Sequence, residues 1–396
     1  MLAAARAIWR EEALFVAAAL LVLYGAVACT IAPYQSLLAI ETFGLSHLAY
    51  AVVLVAGALV FVTTSITGGI LADQSLSRRT VALASTAAYA LGAGLMWLVP
   101  GKATFVLAHA VLLPTGGTIF GQCFALARLG ALGRPAAEQP SILAIIRALF
   151  AAPFVVVLPV WSVVLGMGAD LTVIYPVLFA LGLMMIALIL RAWPQEGRDG
   201  WHDPKSGLSF AASLGEFADG RVLGRVLLLG VLAGATGLYM TLVGLVFTSA
   251  GRDTGDVALY VGFVAGAEVP FMLAVPFMQR FFRKTALIAV GIAIYAVHLA
   301  LMPFLAGTEF VWGLILFAAL GGAAILTLPI AYLQDLMADR PGAGASLIAV
   351  QRICGDATCA AAFAIGTALS GYGFAAVLGA MAAVTSGLFL WLLDRR

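Results

Sequence analysis

Residues Ser141–Arg147 read SILAIIR, and residues Ser346–Arg352 read SLIAVQR. Both follow one pattern: serine, two aliphatics, alanine, an aliphatic, any residue, arginine. They start 205 positions apart, 346 − 141. Each sets an arginine inside a long apolar run. A charge at the centre of a bilayer costs on the order of 3 kcal/mol on insertion scales. A repeat of that cost in the same frame marks a duplicated unit. Two further echoes keep the same order. VAGA occurs at Val55–Ala58 and again at Val264–Ala267, and RRTVAL at Arg78–Leu83 matches RKTALI at Arg283–Ile288.

The setting of these fragments decides the class of protein. The chain has 396 residues, 63% hydrophobic and 10% charged. Soluble domains carry about 25% charged and about 45–50% apolar residues, so the surplus apolar surface needs lipid as its solvent. A helix needs about 20 apolar residues to cross the hydrocarbon core. Twelve windows qualify: 13–36, 48–71, 79–99, 103–127, 140–167, 171–193, 222–249, 256–279, 285–305, 309–334, 345–370 and 373–393. None alternates with the period of two that a spanning β-barrel requires. The expected fold is therefore an all-α membrane protein of twelve transmembrane helices, in two six-helix bundles related by a pseudo-twofold axis. The bundles are residues 1–193 and 222–396, joined by a cytoplasmic linker, 194–221, with a short surface helix expected over 208–217. The first window is read as a retained helix. Glu11 and Glu12 break the basic start of a signal peptide, and the apolar run continues past Cys29.

Lysine and arginine placement sets orientation. Of the 21 basic residues, Lys102 and Arg252 fall on one side, Arg147 and Arg352 lie within helices, and the other 17 fall on the opposite side. Both termini are therefore expected in the cytoplasm. The net charge of +2 and the lack of a basic cluster give no sign of nucleic-acid binding. Cys29, Cys123, Cys354 and Cys359 lie within helices without zinc spacing, as small apolar packing residues do. No HExxH, GxSxG or Walker loop is present. Neither an enzyme, a cofactor, a metal nor ATP coupling is expected. Parallel repeats belong to transporters that rock one half against the other around a midplane site. The partners expected are thus a small-molecule solute, protons and the lipid bilayer, with a monomer as the default state.

The polar residues inside the windows are the candidates for this work. Glu268 lies near the middle of helix 8, too short to reach the interface, and is the first candidate proton carrier. The alternative is a structural glutamate locked to an arginine. Asp356 lies four residues after Arg352, on the same helix face. It either neutralises that arginine or shares proton coupling with Glu268. Arg147 and Arg352 either snorkel to the interface or face an internal cavity. Uncharged polar residues gather in helices 1, 4, 7 and 10: Tyr34 and Gln35; Thr115, Thr118 and Gln122; Thr236, Tyr239 and Thr241; Tyr332 and Gln334. Hydroxyls and amides beside tyrosines suit a neutral polyhydroxy ligand. Tyr34, Gln35, Thr118, Gln122, Arg147, Tyr239, Gln334 and Arg352 are the candidate solute-binding residues. His298 in helix 9 reads as a satisfied packing histidine.

The turn between helices 2 and 3 reads GGILADQSLSRRTVAL, residues 68–83. It resembles the signature loop of the major facilitator superfamily through Gly69, Leu71, Ala72, Asp73, Arg78 and Arg79. The glycine that usually precedes the basic pair is absent. FGQCFALAR (120–128), AGAEVPFML (265–273) and YLQDLMADRPGAGASL (332–347) look like segments of the sugar efflux transporter family. The resemblance runs in order along nearly the whole chain. It implies a proton-coupled antiporter of the bacterial inner membrane that exports a sugar or sugar-like solute by alternating access. Export of drugs, siderophores or other metabolites is the alternative. The resemblance also implies gating roles for Asp73, Arg78, Arg79 and Asp335. Where the family has Gly-Pro-Pro in helix 5, this chain has Val157-Leu158-Pro159, so the bend there differs.

Overall fold

The structure is a computed structural model and describes residues 2–136, 138–195, 220–336 and 344–394. The described residues contain twelve long helices: α1 Glu12–Ile31, α2 His47–Gln74, α3 Arg78–Leu98, α4 Lys102–Ala131, α5 Gln139–Gly166, α6 Ile174–Ala192, α7 Gly220–Ser249, α8 Thr254–Met278, α9 Lys284–Leu305, α10 Leu314–Leu336, α11 Gly344–Leu369 and α12 Tyr372–Leu393. Eleven of them, all but α11, are long and apolar enough to cross a membrane. Each expected window falls on one of the twelve. One of the two largest shifts, five residues, is at the end of α1; the other is at the start of α10. α1 stops at Ile31 because Pro33 biases its predecessor, Ala32, away from helical backbone. The chain re-forms as a short helix, Gln35–Leu37, and a π turn, Leu38–Thr42. A separate helix, Leu2–Arg10, precedes α1. It buries Ala4, Ala7 and Ile8 and leaves Trp9 outside. The expected surface helix over 208–217, and most of the linker, lie outside the described residues.

Local chemistry fixes several helix starts. The Ser77 hydroxyl accepts from the Thr80 amide and starts α3. Asp253 accepts from the Asp256 amide at 2.9 Å and starts α8. Side-chain oxygens at these positions satisfy amides that a helix leaves orphaned. At the other end of α6, Arg79 donates to the carbonyls of Leu190 at 2.8 Å and Ile189 at 3.4 Å. α4 is interrupted by a π segment, Ala108–Leu112, and again at Gly117. The π segment turns His109 inward, and its Nε2 shares a hydrogen bond with the Tyr175 hydroxyl at 3.0 Å.

The chain forms two compact units. The first comprises residues 1–31, 59–158 and 170–208. In it α1 crosses α5 at Gly25, α4 crosses α3 at Gly116, and α6 crosses α3 at Gly182. A Cβ at Gly25 would collide with the Phe150 carbonyl, one at Gly116 would stand 2.5 Å from Tyr89 Cβ, and one at Gly182 would stand 3.0 Å from Ala90 Cβ.

The second unit comprises residues 32–58, 159–169 and 209–396. Its crossings recur at Gly230, Gly321 and Gly387, each 205 positions after its counterpart. A Cβ would stand 2.8 Å from the Gln351 carbonyl of α11 at Gly230, 2.7 Å from Tyr295 Cβ of α9 at Gly321, and 2.6 Å from Ile292 Cγ2 of α9 at Gly387. Between lipid-solvated helices, close approach at small residues supplies the van der Waals contact that hydrophobicity does not. The duplicated arginine motif thus belongs to a duplicated set of helix crossings. The second unit also holds the short segments 32–58 and 159–169 against its own helices. Tyr34 donates to the Thr254 carbonyl at 3.1 Å, and His47 Nε2 meets the Tyr372 hydroxyl at 3.1 Å. Gly255 lets the Ser162 carbonyl approach so closely that a Cβ would stand 2.5 Å from it.

Candidate functional site

Glu268 sits in α8 two residues before Pro270, with Pro276 a further six residues on. Pro270 lacks the amide that would bond the Gly266 carbonyl, and its ring crowds that carbonyl, so the helix is loosened at this level. Glu268 is half-buried and packs against Gly322 of α10, where a Cβ would overlap the carboxylate oxygen. Tyr239 of α7 and Tyr295 of α9 lie within its electrostatic reach. Among the described residues Glu268 has no hydrogen-bond or ion-pair partner. Acids inside spanning helices are rare and face the bundle interior or water.

Beside it lies a cluster of buried rings. His298 is 0% exposed, and neither ring nitrogen has a hydrogen-bond partner among the described residues. Tyr239 meets its ring edge-on at 4.9 Å, Tyr295 does so at 5.3 Å, and Tyr260 stacks at 6.1 Å. The hydroxyls of Tyr239 and Tyr260 are also buried without partners among the described residues. Among the described residues His298 is therefore packed against rings without a hydrogen-bond partner, where the sequence predicts a satisfied histidine. The neighbouring helices offer it ring faces and edges instead of acceptors. Tyr260 continues to Trp312 at 5.8 Å and Phe247 at 4.9 Å. Above these two rings stands Arg252, in the loop before α8, with its guanidinium carbon 5.6 Å from the Trp312 ring. It donates to Glu309 at 3.0 Å, Asp256 at 3.3 Å and the Thr308 carbonyl at 2.8 Å. Burial pulls the pKa of Arg252 down, but its bonds to Glu309 and Asp256 outweigh that and hold it above the ordinary value.

The two motif arginines differ in their surroundings. Arg352 donates to Asp356 at 2.7 Å, one helical turn on. Among the described residues Arg147 has no acid beside it. Its guanidinium carbon lies 5.7 Å over the Phe124 ring of α4. That ring begins a half-buried aromatic row across α4, α5 and α1. Phe120 lies 4.8 Å from Phe124 and 5.1 Å from Phe150, and Tyr24 and Phe154 extend the row at 6.0 and 6.2 Å from Phe150.

The remaining sequence candidates are dispersed. Tyr34 is fully buried and engaged with Thr254, while Gln35 opens the short helix beside it. Thr118 meets the Thr64 hydroxyl at 3.3 Å, and the buried Gln122 side-chain oxygen has no partner among the described residues. Tyr332 is engaged by the Arg225–Asp394 pair. Asp73 pairs with Arg78 within the turn, and Arg79 holds the end of α6. The side chains of Gln334 and Asp335 lie outside the described residues. A cavity of about 440 Å³ opens at the ends of α7, α9 and α12, between Ser249, Phe304 and Tyr372, away from Glu268. The sequence reading named neither Tyr260 nor Tyr295. The spacing of Tyr295 and His298, three residues apart on one helix face, is the signal that was available.

No family model matches the chain. A putative sugar efflux transporter of Deinococcus radiodurans is 27% identical over 339 residues, covering 82% of this chain and 83% of that one. Among solved structures, a peptide transporter in complex with sulfate superimposes with a TM-score of 0.78 at 13% identity, over 98% of this chain and 95% of that one. The nucleoside transporter NupG gives 0.75 at 14% identity, over 97% and 98%. A D-xylose–proton symporter gives 0.72 at 16% identity, over 95% and 96%. The structural likenesses extend over at least 95% of each chain, and they agree with the signature turn at Asp73–Arg79 and the duplicated crossings. The chain is a multi-pass membrane protein with the fold of the major facilitator transporters, similar in sequence to a putative sugar efflux transporter.

Proposed function

We propose that this protein is a secondary transporter that exports a small polar solute, a sugar or sugar-like compound, in exchange for protons by alternating access. Its two moving parts are the six-helix bundles 1–193 and 222–396. The observation that carries the proton half of the reading is Glu268, a carboxylate within a spanning helix with no ion-pair partner among the described residues. Such a group can take up a proton in one state and release it in another without breaking a structural ion pair. Asp356 is held by Arg352 and becomes a second proton site when that pair opens. The buried Gln122 side-chain oxygen of α4, and separately the buried Tyr239 hydroxyl of α7, have no partner among the described residues, which supports a role in hydrogen bonding to solute hydroxyls. The contacts of Tyr34 and His47 with α8 and α12 act as the outer gate, and the Asp73–Arg78 pair as a latch on the cytoplasmic side.

The likeness to a putative sugar efflux transporter supports a sugar as the solute and export as the direction. Both termini then lie in the cytoplasm, and the membrane is the inner membrane of a bacterium. The test is solute-driven proton movement in proteoliposomes loaded with a pH-sensitive dye. A proton flux elicited by one sugar class and abolished in Glu268→Gln supports the reading. Full proton flux in Glu268→Gln removes the glutamate from the mechanism. Flux only with amphipathic drugs or siderophores retains the fold and replaces the solute.

A further inference from the structure

The duplication makes a control experiment of the two motif arginines. Arg352 carries its counterion, Asp356, one turn further along the helix. The position 205 residues before Asp356 is Ala151, so Arg147 has the same place in its helix without the acid. Nothing else among the described residues replaces that acid. Its guanidinium carbon lies over the Phe124 ring, 5.7 Å away. Phe124 lies seven residues inside the end of α4 at Ala131, about 10 Å at 1.5 Å per residue. Arg147 is exposed, and its guanidinium carbon lies against a ring face, where cation–π attraction favours it. Beyond it, Phe120, Phe150, Tyr24 and Phe154 form a continuous half-buried row.

A fixed cation at one end of an aromatic row is complementary to a molecule with an anion at one end and a ring behind it. The planar guanidinium fork binds carboxylate or phosphate through two parallel bonds. Aromatic faces stack on the apolar face of a ring. We infer that Arg147 and the row Phe124–Phe120–Phe150 form a subsite for an anionic, ring-bearing solute, with the guanidinium taking its carboxylate or phosphate. This rests on the transporter reading above and narrows its solute class from neutral sugars to acidic ones. A phospholipid head group offers the same anion, and the test separates the two sources.

Purified full-length protein in nanodiscs of phosphatidylcholine is assayed for binding of labelled glucose, glucuronate and benzoate, then again with phosphatidylglycerol added. The expected result is glucuronate binding about tenfold tighter than glucose, insensitive to phosphatidylglycerol. Arg147→Gln reduces the preference to about twofold or less, and Arg147→Lys keeps part of it. Ala151→Asp leaves the arginine in place but supplies the counterion that Asp356 gives Arg352, and it too abolishes the preference. The latter variant carries the test if Arg147→Gln does not fold. Equal affinity for the two sugars, or a preference that survives both Arg147→Gln and Ala151→Asp, overturns the subsite and leaves the sugar-export reading intact. Phosphatidylglycerol that competes with glucuronate in the wild type, but not in Arg147→Gln, makes the occupant a lipid and also overturns it. Benzoate binding that depends on Arg147, with neither sugar bound, keeps the anion subsite and refutes the sugar reading. Binding of none of the three refutes both.

Discussion

Gly322 makes room for the Glu268 carboxylate, so Gly322→Ala tests whether that placement matters. The added methyl would overlap Glu268 Oε1 and stand 3.2 Å from its carboxyl carbon. Alanine in a helix interior gains about 1 kcal/mol over glycine. Forcing a methyl into a packed site costs about 1–3 kcal/mol, and turning Glu268 off its rotamer costs about 0.5–1.5 kcal/mol of that. These terms nearly cancel, so the thermal midpoint should move little. The carboxylate, however, must leave its position. If the displaced carboxylate is about 1.4 kcal/mol worse at proton exchange, coupled proton flux falls about tenfold. The assay is solute-driven proton flux in proteoliposomes, with solute counterflow as the control for folding. Shortening the acid should relieve the collision. Gly322→Ala/Glu268→Asp is expected to recover part of the flux, with a coupling energy of about 0.5–3 kcal/mol between the two sites. Gly321→Ala is the contrast. Its methyl would meet backbone, the Tyr295 amide at 2.6 Å, and should destabilise the α9–α10 crossing without reaching Glu268. Wild-type flux in Gly322→Ala, or no recovery with the shorter acid, would refute the placement of Glu268 as the reason for its role.

The remaining predictions concern the packing around this site. Tyr260→Phe removes a buried hydroxyl without a partner among the described residues, and relief of its desolvation, about 1–3 kcal/mol, should leave the thermal midpoint unchanged or raise it. A clear drop would mean that the hydroxyl is bonded. Arg252→Ala should cost about 2–4 kcal/mol, because it strips several charge-assisted bonds from a side chain only 13% exposed. Glu309→Ala, removing a partner 86% exposed, should cost less than about 1 kcal/mol, and equal losses in chemical denaturation would contradict this. Gly25→Ala and Gly230→Ala should each destabilise by about 1–3 kcal/mol as equivalent crossings. Gly121→Ala, with nothing within 4 Å, should stabilise by up to about 1 kcal/mol. Opposite signs between Gly25 and Gly230 would break the equivalence.

Much of this architecture could be read in the chain. Hydropathy and helix length are local quantities, so each apolar window falls on a helix. The Arg352–Asp356 pair is one turn apart in sequence and was legible for the same reason. The offset of 205 between SILAIIR and SLIAVQR also pointed to glycines that the fragments do not contain, Gly25 with Gly230 and Gly182 with Gly387. The end of α1 differs from its apolar window by five residues because Pro33 stops the helix where the apolar run continues.

By itself, then, the sequence determined the lipid-solvated helical class, the duplication, and the depth of Arg147, Glu268 and Arg352 along their helices. Tertiary structure alone decided what each of these groups faces. Glu268 lies on Gly322 and Arg147 on Phe124, while His298 sits among tyrosines that give it no acceptor. Tyr34 turned out to hold Thr254, and segments 32–58 and 159–169 joined the second compact unit. The physical reason is that burial of apolar surface puts helices into the membrane but does not choose their neighbours there. Lateral partners are chosen by glycine-sized gaps and single polar contacts spread over distant residues, and no local pattern in the chain records which of them will meet.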